Sequence, residues 1–224
     1  MRILLIAILF SVLPKLQAQI GVSFMAEHGP IDISGFNTVI SEQLGEPVIS
    51  NASAFLKLGG GFDFLIEKLT IGFYLNNFCS SQEKRVDTTY SFQNFRFEIN
   101  LGYQILQNYK LVLEPYLGWA INNSSYNKTY NNSYSTLGQY WNSPLGYKQF
   151  GYNLHSLNAG LRIHFKKFYI NKNSEFGFSL RGGVLIPLSN GNIKFLDQKI
   201  HPDQKLVQQS FYIGLICSIN TTRF

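Results

Sequence analysis

Apolar and polar residues alternate with a period of two along most of the chain after residue 18. The run from Phe95 to Ile105 shows this clearly, because every odd position is apolar and every even position is polar, charged or Gly. Such alternation is typical of β-strands that separate an apolar from a polar environment. The pattern predicts eight strands, at about 19–27, 53–66, 69–78, 91–106, 110–122, 152–165, 175–188 and 209–222.

The predicted strands are long, and their connections alternate in length. Eleven residues tilted by about 45° span about 25 Å, the height of the apolar band of an outer-membrane barrel. Long connections at about 28–52, 79–90, 123–151 and 189–208 alternate with short ones at about 67–68, 107–109 and 166–174. Four long loops at one end and three short turns at the other predict an all-β, eight-stranded antiparallel up-and-down transmembrane barrel. Pro115 falls inside a strand, where we expect a bulge or a position that tolerates a missing donor.

The polar face of these strands predicts which side of the barrel faces inward. It is rich in Gly and Ser and carries both signs of charge, which would be costly against lipid. We therefore expect a lumen polar network that fills the interior, which in an eight-stranded barrel is just wide enough for side chains. Its charged members are Lys57, Asp63, Arg96, Glu98, Glu114, Arg162 and Arg181. Spacing from the turns predicts that Glu114 and Arg162 form a cross-strand ion pair.

The first 18 residues differ from the rest and predict a secretory signal peptide over 1–18, with the barrel domain over 19–224. Arg2 precedes an apolar run from Ile3 to Leu13, Pro14 follows, and Ala18 provides a small residue for cleavage. The apolar run is shorter than the roughly 20 residues that a membrane-spanning helix needs.

These features resemble the small OmpA/OmpX-like outer membrane β-barrel family. The resemblance rests on the signal segment, the eight strands, the terminal Phe224, and a last strand over 212–219 that looks like the family's C-terminal assembly signal. Phe224 is out of phase with the apolar positions 211–219, so a bulge or a frayed end is needed. The resemblance implies the outer membrane of a Gram-negative cell, with membrane lipids and the barrel-assembly machinery as partners. It does not carry a function, because such barrels serve many.

Function in a barrel of this kind is expected in its loops. The segment 122–151 combines aromatic residues with many Asn and Ser, a composition suited to adaptable binding. Its candidate recognition residues are Tyr126, Tyr130, Tyr134, Tyr140, Trp141 and Tyr147. The alternative is that the strands simply extend above the membrane before a variable loop. The first long loop predicts a short helix capped by Asn37, with Val39, Ile40 and Leu44 as its apolar stripe.

Composition and candidate chemistry narrow the function classes. Only 14% of the residues are charged, and removing Arg2 and Lys15 lowers the formal charge from +6 to +4, which argues against nucleic-acid binding. Neighbouring strand positions such as His155 and Ser156 face opposite sides, so they cannot act as a catalytic pair. We identify no His that shares a face and a height with an acid or a Ser. We expect no enzyme, catalytic residue, cofactor or metal.

The sequence therefore predicts a monomeric structural anchor, with no pore for large solutes, that displays loops to an unknown extracellular partner. Two alternatives stay open. One is an outer-membrane enzyme that modifies lipids, and the other is a soluble lipocalin-like barrel that binds an apolar ligand inside.

Overall fold

The alternating segments form a closed β-barrel in the computed structural model of the protein. The structure describes residues 18–39, 41, 55–85, 88–107, 111–130, 148–165, 168–171, 173–195, 198–200, 206–207 and 209–221. The predicted signal peptide over 1–18 lies outside this range except for Ala18, so it stays a prediction.

Eight long strands build the barrel, and four short strands extend it. In chain order the strands are β1 (Ala18–Gly29), β2 (Phe55–Ile66), β3 (Leu69–Arg85), β4 (Thr88–Tyr103), β5 (Leu106–Gln107), β6 (Leu111–Tyr130), β7 (Lys148–Phe165), β8 (Phe168–Asn171), β9 (Ser174–Pro187), β10 (Asn192–Phe195), β11 (Gln198–Ile200) and β12 (Phe211–Thr221). Every pairing is antiparallel, and β1 pairs with both β2 and β12, which closes the barrel. The predicted eight-stranded up-and-down barrel is confirmed.

The apolar face of the strands points outward. Phe24, Leu58 and Leu101 expose 69%, 60% and 53% of their surface, whereas Arg96 and Glu98 are fully buried inside the barrel. The orientation is the one expected for a barrel surrounded by lipid and the reverse of a soluble barrel with an apolar interior. We call the end that carries the Glu67–Lys68 turn the turn end, and the opposite end the loop end.

Several strands reach farther toward the loop end than the alternation predicts. The β3–β4 connection shortens to 86–87 instead of 79–90, and β6 runs to Tyr130 while β7 begins at Lys148. The two strands stay in register up to the pair Lys128 and Lys148. The outward face of these extensions lies beyond the apolar band and needs no apolar residues, while inward residues such as Ser124 and Tyr126 stay buried, so backbone pairing continues without strict alternation. Residues 123–130 and 148–151 therefore extend strands β6 and β7, as the alternative interpretation of this connection predicted.

Pro115 lies at an irregularity in the β-sheet. The β4–β6 pairing ends at Gly102 and Tyr116, and the β5–β6 pairing begins at Leu106 and Leu113. Three residues of one strand thus stand opposite two of the other, which is a bulge. The missing N–H of Pro115 falls where the pairing is already interrupted, as the sequence predicted.

The first long connection begins with helix α1 (Ser34–Thr38). Asp32 Oδ1 accepts a hydrogen bond from the Ser34 amide at 2.9 Å, and the Asn37 amide donates to the Ile33 carbonyl at 2.9 Å. Asn37 is therefore inside the helix, and its assignment as the cap was wrong, because Asp32 supplies the side-chain acceptor one turn earlier. Two residues of the predicted apolar stripe, Ile40 and Leu44, lie outside the described residues. Within the described part of the chain, no helix is long and apolar enough to cross a membrane.

Candidate functional site

Two carboxylates and two guanidinium groups meet inside the barrel. Glu27 on β1 accepts hydrogen bonds from Arg96 on β4 and, at 3.0 Å, from Arg181 on β9. Arg96 and Arg181 also donate to Glu98, the latter at 2.8 Å. Strand β4 pairs with neither β1 nor β9, so the contacts of Arg96 with Glu27 and of Arg181 with Glu98 cross the lumen. We call Glu27, Arg96, Glu98 and Arg181 the central cluster; all four are essentially inaccessible to solvent.

Glu98 is the most highly coordinated carboxylate of this cluster. Besides both arginines, it accepts hydrogen bonds from the side-chain amides of Asn76 at 3.2 Å, Asn100 at 3.0 Å and Asn158 at 3.0 Å. Each carboxylate oxygen thus receives three donors. A buried anion is tolerated only when it is paired and hydrogen-bonded in this way.

Lys57 extends the central cluster toward the loop end. It stands directly across from Glu27 in the β1–β2 register. Its ammonium group donates to Asn94 Oδ1 at 2.9 Å and to Gln209 Oε1. Gln209 Oε1 also accepts from Arg96 at 2.8 Å. Gln209 lies just before β12, so the last long connection of the barrel takes part in the charged network.

A second group of charges, the turn-end cluster, contains Asp63, Glu114, Arg162 and His164. Glu114 and Arg162 are register partners on β6 and β7, and their Oε1 and Nη1 atoms are 3.5 Å apart. The predicted cross-strand pair is confirmed. Arg162 also contacts Asp63 at 3.1 Å. Apart from His164, the two clusters and Lys57 bring together four basic side chains and four carboxylates, so their charges balance.

Two tyrosines connect the clusters. Tyr74 donates a hydrogen bond to Asp63 and accepts one from Arg162, and its ring centre lies 5.1 Å from the guanidinium carbon of Arg181. The ring centre of Tyr212 lies 4.6 Å from the guanidinium carbon of Arg96 and 4.7 Å from that of Arg181. Aromatic faces stabilise cations at such distances. The network is therefore continuous along the barrel.

A hydrogen-bonded Ser–His–Glu chain runs through the turn-end cluster. Ser179 Oγ lies 2.9 Å from His164 Nδ1, and His164 Nε2 lies 3.2 Å from Glu114 Oε2. Our statement that no His shares a face and a height with a Ser and an acid was wrong. The residues come from β9, β7 and β6, and their heights depend on a register that alternation alone does not supply.

The other candidate pair behaves as the sequence predicted. Ser156 is buried in the lumen, whereas the His155 ring stacks on the outward-facing Trp119 with ring centres 5.3 Å apart. Within the described ranges, no group of three or more His, Cys, Asp or Glu side chains is arranged to hold a metal ion.

The candidate recognition residues of the third long connection separate into two groups. Tyr126 is a buried residue of β6, only 3% exposed and opposite Phe92 in the β4 register, so it does not offer a free surface to a partner. Its side chain faces inward because the strand continues past the predicted end. Tyr130 ends β6, and its side chain is outside the described part, as are the whole residues Tyr134, Tyr140, Trp141 and Tyr147.

Apolar residues collect inside the loop end of the barrel. Ile31 and Ile33 follow β1, Leu206 and Val207 precede β12, and all four are buried. The Tyr152 hydroxyl donates to the Asn190 carbonyl at 2.6 Å and accepts from the Leu206 amide at 3.3 Å. Segments of two long connections are thus folded inward. No periodic pattern marks these segments in the sequence, because they are not in strands or long helices.

Comparisons with known proteins define the fold. A major outer membrane protein from Thermus thermophilus has a TM-score of 0.51 and 13% identity, with 92% of this chain and 99% of that chain covered. The fold is that of an outer-membrane β-barrel. Neisserial surface protein A matches with a TM-score of 0.44 and 10% identity over 90% of this chain and 96% of its own. Ail, the attachment invasion locus protein of Yersinia pestis, matches with a TM-score of 0.40 and 11% identity over 93% and 99%.

The sequence comparisons give no closer relative. No protein-family model matches the chain, and no curated protein matches it. The expected resemblance is confirmed for the fold, which is that of an outer-membrane β-barrel.

Proposed function

We propose that the protein is an integral outer-membrane barrel that anchors and displays its loop-end segments for contacts at the cell surface. The observation that carries this proposal is the pairing of an outward apolar face with an inward network of buried charges. Large outward side chains such as Phe24 and Leu58 would be an aggregation liability in water, whereas lipid covers them. The same geometry argues against the lipocalin-like alternative, because ion pairs occupy the place where an apolar ligand would bind.

The expected orientation follows from the lengths of the connections. In outer-membrane barrels short turns face the periplasm and long loops face outside. The turn end is then periplasmic and the loop end is extracellular. Outer-membrane lipids surround the apolar band, the barrel-assembly machinery inserts it, and the working unit is a monomer.

The lumen is proposed to be closed to large solutes. Support comes from the central cluster, whose side chains cross between strands that do not pair, and from the apolar segments folded into the loop end. Purified protein in planar bilayers should give no sugar-sized pore, and sucrose should not enter vesicles that contain it. Sucrose-permeable vesicles would contradict the closed lumen while leaving the membrane location untouched.

The extended strands support a display role. Residues 122–130 of β6 rise about 30 Å along the strand, or about 20 Å above the apolar band if tilted by about 45°. They remain paired with β7 as far as Lys128 and with β4 as far as Tyr130, and so form a rigid support for residues 131–147. That segment holds Tyr134, Tyr140, Trp141 and Tyr147, which we propose as contact residues, with Tyr130 at its base.

Fractionation of cell membranes by density, followed by gels of boiled and unboiled samples, tests the anchor. The proposal predicts that the protein is found in the outer-membrane fraction and that the unboiled band migrates differently from the boiled band. A soluble protein without this shift would contradict it.

The display role needs a separate test. Cells that carry the wild-type barrel are compared for adhesion to immobilised matrix proteins and glycans with cells whose residues 132–146 are replaced by a Gly–Ser linker. The replacement should remove adhesion and keep the gel shift. Equal adhesion of both would contradict display by this loop.

A further inference from the structure

His164 lies between Ser179 and Glu114 at hydrogen-bonding distance from both. Glu114 accepts a further hydrogen bond from Thr70 at 2.7 Å and lies near Arg162, and both contacts favour its ionised form. A carboxylate only accepts hydrogen bonds, so the His164 nitrogen that faces it, Nε2, carries the hydrogen. In the neutral imidazole, Nδ1 is then the acceptor directed at the Ser179 hydroxyl. This is the arrangement that activates a serine nucleophile.

Three neighbouring strands hold these groups in place. His164 and Ser179 are register partners on β7 and β9. Glu114 on β6 is the register partner of Arg162, the neighbouring inward-facing residue of β7. Sites built on strands are positioned more accurately than sites on loops. Because Ser179 and Glu114 are held by paired strands, their hydrogen bonds to His164 define one orientation of the imidazole ring.

The hydrogen-bonded series of Ser179, His164 and Glu114 lies close to the opening at the turn end. His164 is the last inward-facing residue of β7, and its side chain is 20% exposed. On β9 the next inward position toward the opening is Gly177, which places no side chain in front of Ser179. Ser179 itself is only 3% exposed, which restricts any substrate to a small acyl group.

Unused donors lie in the next inward layer. Arg162 lies two residues before His164, and Arg181 lies two residues after Ser179. Both positions are closer to the loop end, and the two arginines are register partners. Arg162 Nε, Arg181 Nε and Arg181 Nη1 are buried and have no hydrogen-bond partner within the described residues. Buried N–H groups without acceptors are costly, and donors beside a nucleophile can stabilise the oxyanion of an acyl-transfer step.

We propose that Ser179, His164 and Glu114 form a serine acyl-transfer site for small carboxylic esters that enter from the turn end. Ser179 Oγ bonds to the carbonyl carbon while its proton moves to His164 Nδ1. The ester C–O bond breaks, and the leaving alkoxide takes that proton. Water then attacks the acyl-serine, releases the acid and restores the Ser179 hydroxyl. Glu114 acts as a positioning residue, and the activity is separate from the anchoring role.

The test uses the full chain folded in detergent micelles. A small fluorophosphonate reacts with activated serines, and peptide mass spectrometry locates the adduct. The expected result is an adduct on Ser179 in the folded protein and none after unfolding in urea. An unmodified Ser179 in the folded protein would overturn the proposal, and this measurement does not depend on any variant folding correctly.

Hydrolysis of p-nitrophenyl acetate provides the second measurement. Ser179→Ala should lose the protein-dependent rate, and the matched control Ser156→Ala, another buried lumen serine, should keep it. Gel shifts confirm that both fold. Glu114→Gln should lower the rate at least about tenfold and move the rate–pH profile to lower pH, because an imidazolium without its carboxylate loses its proton more readily. A Ser179→Ala variant with the wild-type rate would refute the site, and an unshifted Glu114→Gln profile would refute the positioning role.

Discussion

Replacing Glu98 with Gln tests whether the central cluster stabilises the barrel as an ion-paired unit. The substitution keeps the shape of the side chain but removes its charge. It also replaces one carboxylate oxygen with an NH₂ group. Because each oxygen of Glu98 accepts three hydrogen bonds, this NH₂ group faces three donors in either orientation of the amide. Removing one partner of a buried ion pair costs about 3–5 kcal/mol, because the other charge stays buried. We expect a loss of about 4 kcal/mol for Glu98→Gln.

Urea unfolding from lipid vesicles, followed by the gel shift of unboiled samples, measures this loss. With an m-value of about 2 kcal/mol/M, the expected midpoint falls by about 2 M. Glu67→Gln, at the exposed turn, is the matched control and should change stability by less than about 0.5 kcal/mol. Adding Arg181→Gln to Glu98→Gln should cost less than the sum of the single losses. A Glu98→Gln protein within about 1 kcal/mol of wild type would refute the reasoning.

Four further substitutions test other parts of the barrel by the same unfolding assay. Leu101→Arg, on the outward face, should cost about 2–4 kcal/mol if it lies in lipid, and no loss would contradict the membrane-facing assignment. Glu114→Ala should cost about 3 kcal/mol, near the lower end for a broken buried pair, because its arginine keeps a second carboxylate; wild-type stability would refute the pairing. Glu67 has a positive φ of 55°, so Glu67→Gly should stabilise by about 1 kcal/mol, and a loss would contradict strain at the turn. Gly160→Ala should cost about 1–3 kcal/mol, since its Cβ would lie 2.3 Å from a carbonyl oxygen, whereas Gly182→Ala has room and is the control; equal losses would contradict the close packing.

The sequence predicts those features that depend on a repeating pattern within one strand. The inward and outward faces, the strand number and the Glu114–Arg162 pair follow from alternation and from spacing relative to tight turns. The loop-end extensions do not, because Asn and Ser occupy both faces of β6 over 122–125, which leaves no alternation of apolar and polar residues to detect. The position of helix α1 was not predicted either, because the sequence placed the start of a short helix at Asn37, whereas α1 runs from Ser34 to Thr38.

Contacts across the lumen could be predicted only in part. Glu27 lies on the polar face of β1, but a single sequence does not show that it contacts Arg96 and Arg181, which are far away along the chain. The Ser179–His164–Glu114 chain was missed for the same reason. Its members are ordinary lumen residues until the register of β6, β7 and β9 brings them to one height. Cross-strand register, rather than strand identity, limits inference from a single sequence.

The balance of buried charges has a consequence for how this sequence can evolve. The charges of the central cluster come from β1, β4 and β9, so a change at one position leaves a mismatch on a distant strand. A viable lineage must then alter partners together or reach a change through a compensating neighbour. Related chains should therefore show correlated substitutions at positions 27 and 96, and at 98 and 181. The lipid-facing positions, which ask only for apolar character, should instead drift independently.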